Sequence, residues 1–168
     1  ATDLGFVPQP VYDAVCGADM AVLESNHDVE MLRCGPYPPH LQRRILGKRG
    51  HLSNEAAGRA LRALVEAGVC VSVDTRHAEV AVRALHAGAS IVNDVSGFRD
   101  PAMREAVRRC GCGCVVMHMK GEPATMQDNP VYQDVVAEVR DYLRDAAAAL
   151  EAAGIDRSRI CVDPGPGF

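Results

Sequence analysis

No run of apolar residues approaches the ~18 that a membrane-spanning helix needs, so no membrane segment is expected. Charge of one sign is lacking too. Eighteen Lys and Arg face 22 Asp and Glu, for a formal net charge of −4. The balance holds along the chain, with 7 basic against 8 acidic residues in 1–66 and 11 against 14 in 67–168. Neither part carries the basic stripe that grips nucleic acid, and that partner class is excluded. There is no initial Met and no charged-then-apolar leader, so no signal peptide is expected and the location reads as cytoplasmic.

An even cysteine count is also missing. Seven cysteines are present, three of them in Cys110-Gly-Cys112-Gly-Cys114. An oxidised framework favours an even number, and a zinc site favours C-x₂₋₄-C pairs. The cysteines therefore read as reduced thiols that pack as small hydrophobes. Length sets one more bound. The 168 residues suffice for one domain with a sizeable core. A closed eight-fold β/α barrel typically takes about 250, so this stretch alone falls short of a complete one.

What is present alternates. Val69-Cys-Val-Ser-Val-Asp74 reads as a buried strand, followed by a helix over about 77–87. A second strand over 90–95 ends in Asn93-Asp94. Asp100-Pro101 opens a helix to about 110, as a cap followed by Pro in the first turn. A third apolar run covers 113–119, and a polar loop follows over about 120–130. A long amphipathic helix spans about 131–152, and a fourth strand starts at 159 and is cut by Asp163-Pro164-Gly165-Pro166-Gly167. Strands alternating with helices predict βαβ units in a parallel sheet. Earlier in the chain, Met20-Ala-Val-Leu23 reads as a strand, with helices over 29–34, about 40–48, and from a Ser53 or Asn54 cap to about 67. No linker separates the two parts.

In parallel β/α folds, ligands gather at the C-terminal strand ends. Asp74, Asn93, Asp94, His118 and Asp163 fall there. Carboxylates beside an amide suit either a neutral heterocycle with N–H donors or a metal. Each Asp taken singly also suits a turn cap.

These residues carry a resemblance. Val73-Asp74-Thr75, Ile91-Val92-Asn93-Asp94-Val95-Ser96-Gly97, Met117-His118-Met119-Lys120-Gly121 with Thr125-Met126-Gln127, and Asp163-Pro164-Gly165-Pro166-Gly167-Phe168 resemble the dihydropteroate synthase family, in order and spacing, over about 67–168. That family condenses a pterin diphosphate with p-aminobenzoate in folate synthesis. The resemblance implies that Asp74, Asn93 and Asp163 hydrogen-bond a pterin ring, that Met117 or Met119 packs on its face, and that Phe168 belongs to the pocket wall. Acceptors at strand ends fit the donor edge of an aminopterin, and a thioether fits its flat face. The family's Asn-Val-Thr-Pro-Asp-Ser-Phe and Ser-Thr-Arg-Pro loops, its later lysine strand and its Arg-x-His motif do not occur in this sequence. Those parts serve the diphosphate, the metal and the second substrate, so weak or absent transferase activity is expected. Pro166 stands where the family has a bulky apolar residue.

A second resemblance covers about 1–60. Ala1-Thr2-Asp3-Leu4-Gly5, Leu23-Glu24-Ser25-Asn26-His27-Asp28, Gly35-Pro36-Tyr37-Pro38 and Arg49-Gly50-His51-Leu52-Ser53-Asn54-Glu55 resemble the C-terminal part of a metallo-β-lactamase-fold hydrolase. There Asp3 and His51 would be metal ligands. The family's His-x-His-x-Asp-His cluster is missing, and two ligands cannot close a site that needs at least three.

The expectation is an α/β protein: a mainly parallel β/α sheet of about five strands, either partial-TIM-barrel-like or open and flavodoxin-like. Residues 1–66 and 67–168 form its two segments, packed as one unit. The function implied is pterin binding through Asp74, Asn93, Met117, Asp163 and Phe168. No catalytic residue, resident metal or cofactor is assigned, and magnesium would enter only with a pterin diphosphate. An open sheet edge invites a homodimer. The alternatives are a metal-dependent hydrolase remnant or a non-catalytic recombined scaffold.

Overall fold

The structure, a computed structural model, describes residues 4–121 and 131–166. Five strands form one sheet: β1 (Met20–Glu24), β2 (Cys70–Asp74), β3 (Ile91–Asp94), β4 (Gly113–Met117) and β5 (Ile160–Asp163). They lie side by side in sequence order, and every neighbouring pair is parallel. The helices are α1 (Gln9–Cys16), α2 (Val29–Cys34), α3 (Pro39–Ile45), α4 (Asn54–Glu66), α5 (Ala78–His86), α6 (Pro101–Cys110) and α7 (Val135–Ala152).

The strand order decides between the two architectures expected. Parallel strands joined in sequence by right-handed crossovers put each connecting helix on the same face. A flavodoxin-like sheet reverses its order at a switch point and carries helices on both faces. No reversal occurs among these five strands, so the flavodoxin-like alternative is corrected: the sheet is the singly wound, partial-barrel kind.

Burial follows from that winding. Ala21, Leu23, Val71, Val73, Val92, Cys114 and Val116 point to one face, where they meet Leu61 and Leu64 of α4, Met103 and Val107 of α6, and Leu150 of α7 in a single core cluster. The other face holds the alternate residues, and there Met20 and Cys161 are exposed. Local chemistry sets the helix starts. Asp28, Ser53, Asp100 and Asp134 each accept backbone N–H groups at the first turns of α2, α4, α6 and α7. Strand β4 ends at Met117 rather than 119, and α7 begins at Val135 rather than 131. Helix α1 was not foreseen. It starts on Pro8 and Pro10 and lays Tyr12 and Val15 against the core.

Candidate functional site

Register brings the strand-end residues together. Glu24 pairs with Asp74, and Asp74 pairs with Asn93. Asn93 pairs with Val115, which pairs with Cys161; two residues further on, Met117 pairs with Asp163. Paired residues share a face, and so do residues two apart on a strand. Asp74, Asn93, Met117 and Asp163 therefore lie on one face, opposite the helices, at the C-terminal rim. Their convergence is the arrangement that the strand-end reading requires.

Each has a distinct setting. Burial pushes the Asp74 carboxyl above the usual range, and the neighbouring Glu24 and Asp94 add to the shift, while a hydrogen bond with Asn93 opposes it. The Asn93 side-chain oxygen is buried and has no hydrogen-bond partner among the described residues. An orphaned buried acceptor is costly, and a ligand N–H would satisfy it. Met117 is buried beneath Gly165. Asp163 also serves as a turn cap: its Oδ1 accepts the Gly165 N–H at 2.8 Å. The turn uses one oxygen and leaves Oδ2 for a further donor. Phe168, Asp3 and Thr125-Met126-Gln127 lie outside the described residues.

Three residues at the rim have roles that the sequence did not reveal. Glu24 is 5 % exposed. Its carboxylate accepts the Leu4 and Leu52 backbone N–H groups and the Asn26 side-chain amide, and it meets His51 Nδ1 at 3.1 Å. His51, which the second resemblance would make a metal ligand, faces a carboxylate through Nδ1. Among the described residues no group of three or more His, Cys, Asp or Glu side chains is placed to hold a metal. Asp94 points toward the helices and shapes the β3–α6 loop, accepting from the Ser96 N–H and hydroxyl and from the Phe98 N–H. His118 is buried beside Tyr132 and Tyr142. Glu24 had a signal, since it closes a strand as Asp74 and Asp163 do. Three of its four partners, Leu4, His51 and Leu52, come from distant sequence and left none.

All seven cysteines are free thiols, with Cys112 and Cys114 buried. Among the described residues no helix is long and apolar enough to cross a membrane.

An all-parallel, singly wound sheet with acceptors along its C-terminal rim defines a β/α fold of the partial-barrel type. A family model described as "Pterin binding enzyme" matches residues 53–168, and the chain belongs to that family. The chain is 42% identical over 100 residues to the dihydropteroate synthase of Escherichia coli K12, covering 60% of this chain and 36% of that protein. Against the Mycobacterium leprae dihydropteroate synthase it is 46% identical over 110 residues, covering 64% and 39%. Among solved structures, the Burkholderia cenocepacia dihydropteroate synthase complexed with 7,8-dihydropteroate matches with a TM-score of 0.69 at 38% identity, over 94% of this chain and 51% of that one. The Thermus thermophilus enzyme in complex with 4-aminobenzoate matches with a TM-score of 0.70 at 35% identity, over 97% and 57%. The chain thus spans little more than a third of the curated relatives and about half of the solved chains. The family match begins at residue 53, ahead of the segment boundary at 66/67 that the motifs suggest. None of these matches carries the metallo-β-lactamase resemblance of residues 1–60, which rests on its motifs alone.

Proposed function

We propose that this chain supplies the pterin-recognising side of a dihydropteroate synthase-type pocket. Asp74, Asn93 and Asp163 accept the ring's N–H donors, and Met117 lies against its flat face. The observation that carries this reading is the unpartnered, buried Asn93 oxygen, set between Asp74 and Val115 on the face that also holds Asp163. Family membership and the relatives' ligands support it. The dihydropteroate synthase of Burkholderia cenocepacia was solved with 7,8-dihydropteroate and that of Thermus thermophilus with 4-aminobenzoate.

Transferase activity of this stretch is proposed to be weak or absent. Displacing a diphosphate depends on positioning and on stabilising the departing charge. The loops to which the resemblance assigns those tasks do not occur in its sequence. We place magnesium, where the reaction uses it, on the diphosphate oxygens of the substrate. Pairing with a second copy of the chain through a sheet edge is proposed as well. The metal-dependent hydrolase alternative is not favoured, because the family match and the relatives all lie with the pterin-binding enzymes.

The test is calorimetric titration with 6-hydroxymethylpterin. The expected result is saturable binding, weakened at least tenfold in Asp163→Ala, since a hydrogen bond to a charged group contributes about 1.5–3 kcal/mol. Absence of any heat, or equal affinity in the variant, would overturn the reading.

A further inference from the structure

Three loops leave the rim: one after β3, one after β4 and one after β5. One pair of side chains on the helix side of the sheet touches all three. His118 directly follows Met117 and points away from the face that holds Asp74, Asn93 and Asp163, since alternate residues on an extended segment face opposite ways. It is 5 % exposed. Tyr142 of α7 packs edge-on against its ring, with centroids 5.0 Å apart at 87°. Tyr132 flanks the ring at 6.0 Å.

The ties outward are specific. The His118 backbone N–H donates to the Asp163 carbonyl at 2.8 Å. Gly165 closes over it. A Cβ there would stand 2.5 Å from the His118 carbonyl oxygen and 3.3 Å from Met117 Cγ, and the backbone has φ +65°. Only glycine fits this contact. The Gly165 N–H in turn holds Asp163 Oδ1. On the other side, Gly97 (φ +73°) abuts Tyr142: a Cβ there would stand 2.5 Å from the tyrosine hydroxyl and 3.4 Å from the Met117 carbonyl oxygen. A continuous set of contacts therefore runs from the β3 loop through Tyr142 and His118 to the turn that fixes the Asp163 carboxylate.

We infer that His118 and Tyr142 are positioning residues: they form a post that locks the turn orienting Asp163 and the seat of Met117. The inference rests on the pterin reading for its purpose, but the lock itself is a property of the free protein. The charged groups around the post are Lys120, which lies over the Tyr132 ring at 4.1 Å, and Glu138, which pairs with Lys120 at 2.8 Å. Burial is the main cause that lowers the His118 pKa and Lys120 adds to it, while the Pro164 backbone and Glu138 oppose the shift.

The experiment reads the lock directly. Amide exchange of Gly165 is followed by NMR in the parent chain, in His118→Ala and in Tyr142→Leu. The expected result is at least tenfold faster Gly165 exchange, with Val92 in the sheet centre still protected within twofold. Hydroxymethylpterin affinity should fall at least tenfold in parallel. If His118→Ala does not fold, Tyr142→Leu gives the same reading. Gly165 exchange within twofold of the parent would overturn the inference. A parent that gives no heat with pterin but shows the exchange change would overturn the pterin reading and leave the lock standing.

Discussion

Glu24 and Asp74 are register partners at the ends of β1 and β2, and they have opposite fates. Four donors surround the first, whereas burial and the first one's own charge push the second toward its neutral form. Glu24 ties the N-terminal segment to the sheet through these partners, and Asp74 stands beside it on the rim with a desolvated carboxyl.

Removing the anchor leaves its donors stranded in a dry site. Glu24→Ala should cost about 3 kcal/mol of unfolding free energy, the usual scale for orphaning partners of a buried charge. Urea denaturation at pH 7 measures it. A cost under ~1 kcal/mol would show that water replaces the carboxylate.

Asp74 should make stability depend on pH with a definite sign. Its folded carboxyl titrates above the unfolded value near 3.8. Between the two values the folded state holds the extra proton, so stability falls as pH rises through that window and levels off above it. Asp74→Asn removes the titration. Relative to the parent, the variant should gain stability as pH is raised from 4 toward 7, and the two should converge below pH 4. Parallel urea curves across that range are the check. A constant difference would mean that Asp74 is not desolvated in the fold.

Gly165→Ala tests the close approach at the β5 turn. The added methyl meets a backbone oxygen at 2.5 Å with φ at +65°, so relief requires moving the turn. A loss of about 2 kcal/mol is expected, together with weaker pterin binding. Thermal melting and calorimetry measure the two effects.

The outer flank of α7 should tolerate polar change. Val136 is 73 % exposed and Val162 is 48 % exposed; both line an apolar groove of about 1010 Å³ between α7 and β5. Val136→Lys and Val162→Lys should alter stability by no more than about 0.5 kcal/mol. They should reduce self-association in sedimentation velocity, as an exposed apolar groove promotes it.

Much of this was legible in the sequence, because a buried parallel strand writes itself as a short apolar run closed by a polar residue. That pattern located all five strands to within two residues at either end and put Asp74, Asn93 and Asp163 at the rim. Winding was not legible. Sequential and reversed strand orders share the same β/α alternation, so only the pairing of β1 with β2 and of β2 with β3 separated them. The Glu24 ring of donors was hidden for another reason. Leu4, Asn26, His51 and Leu52 meet it from three separate stretches of chain, and no local spacing encodes such a meeting. Helix α1 went unread in the sequence; its two prolines occupy the cap and the first turn.

Strand order in sequence also sets a timetable. Ser72 finds Ile91 nineteen residues on, and Ile91 finds Gly113 after a further twenty-two. Met20 must wait for Cys70 across fifty residues, and Cys114 for Ile160 across forty-six. Closing a longer loop costs more entropy before any contact rewards it. Loop closure alone predicts assembly from β2–β3–β4 outward, with the strands that carry Glu24 and Asp163 docking last; pulse-labelled hydrogen exchange should then protect Val92 before Leu23 and Val162.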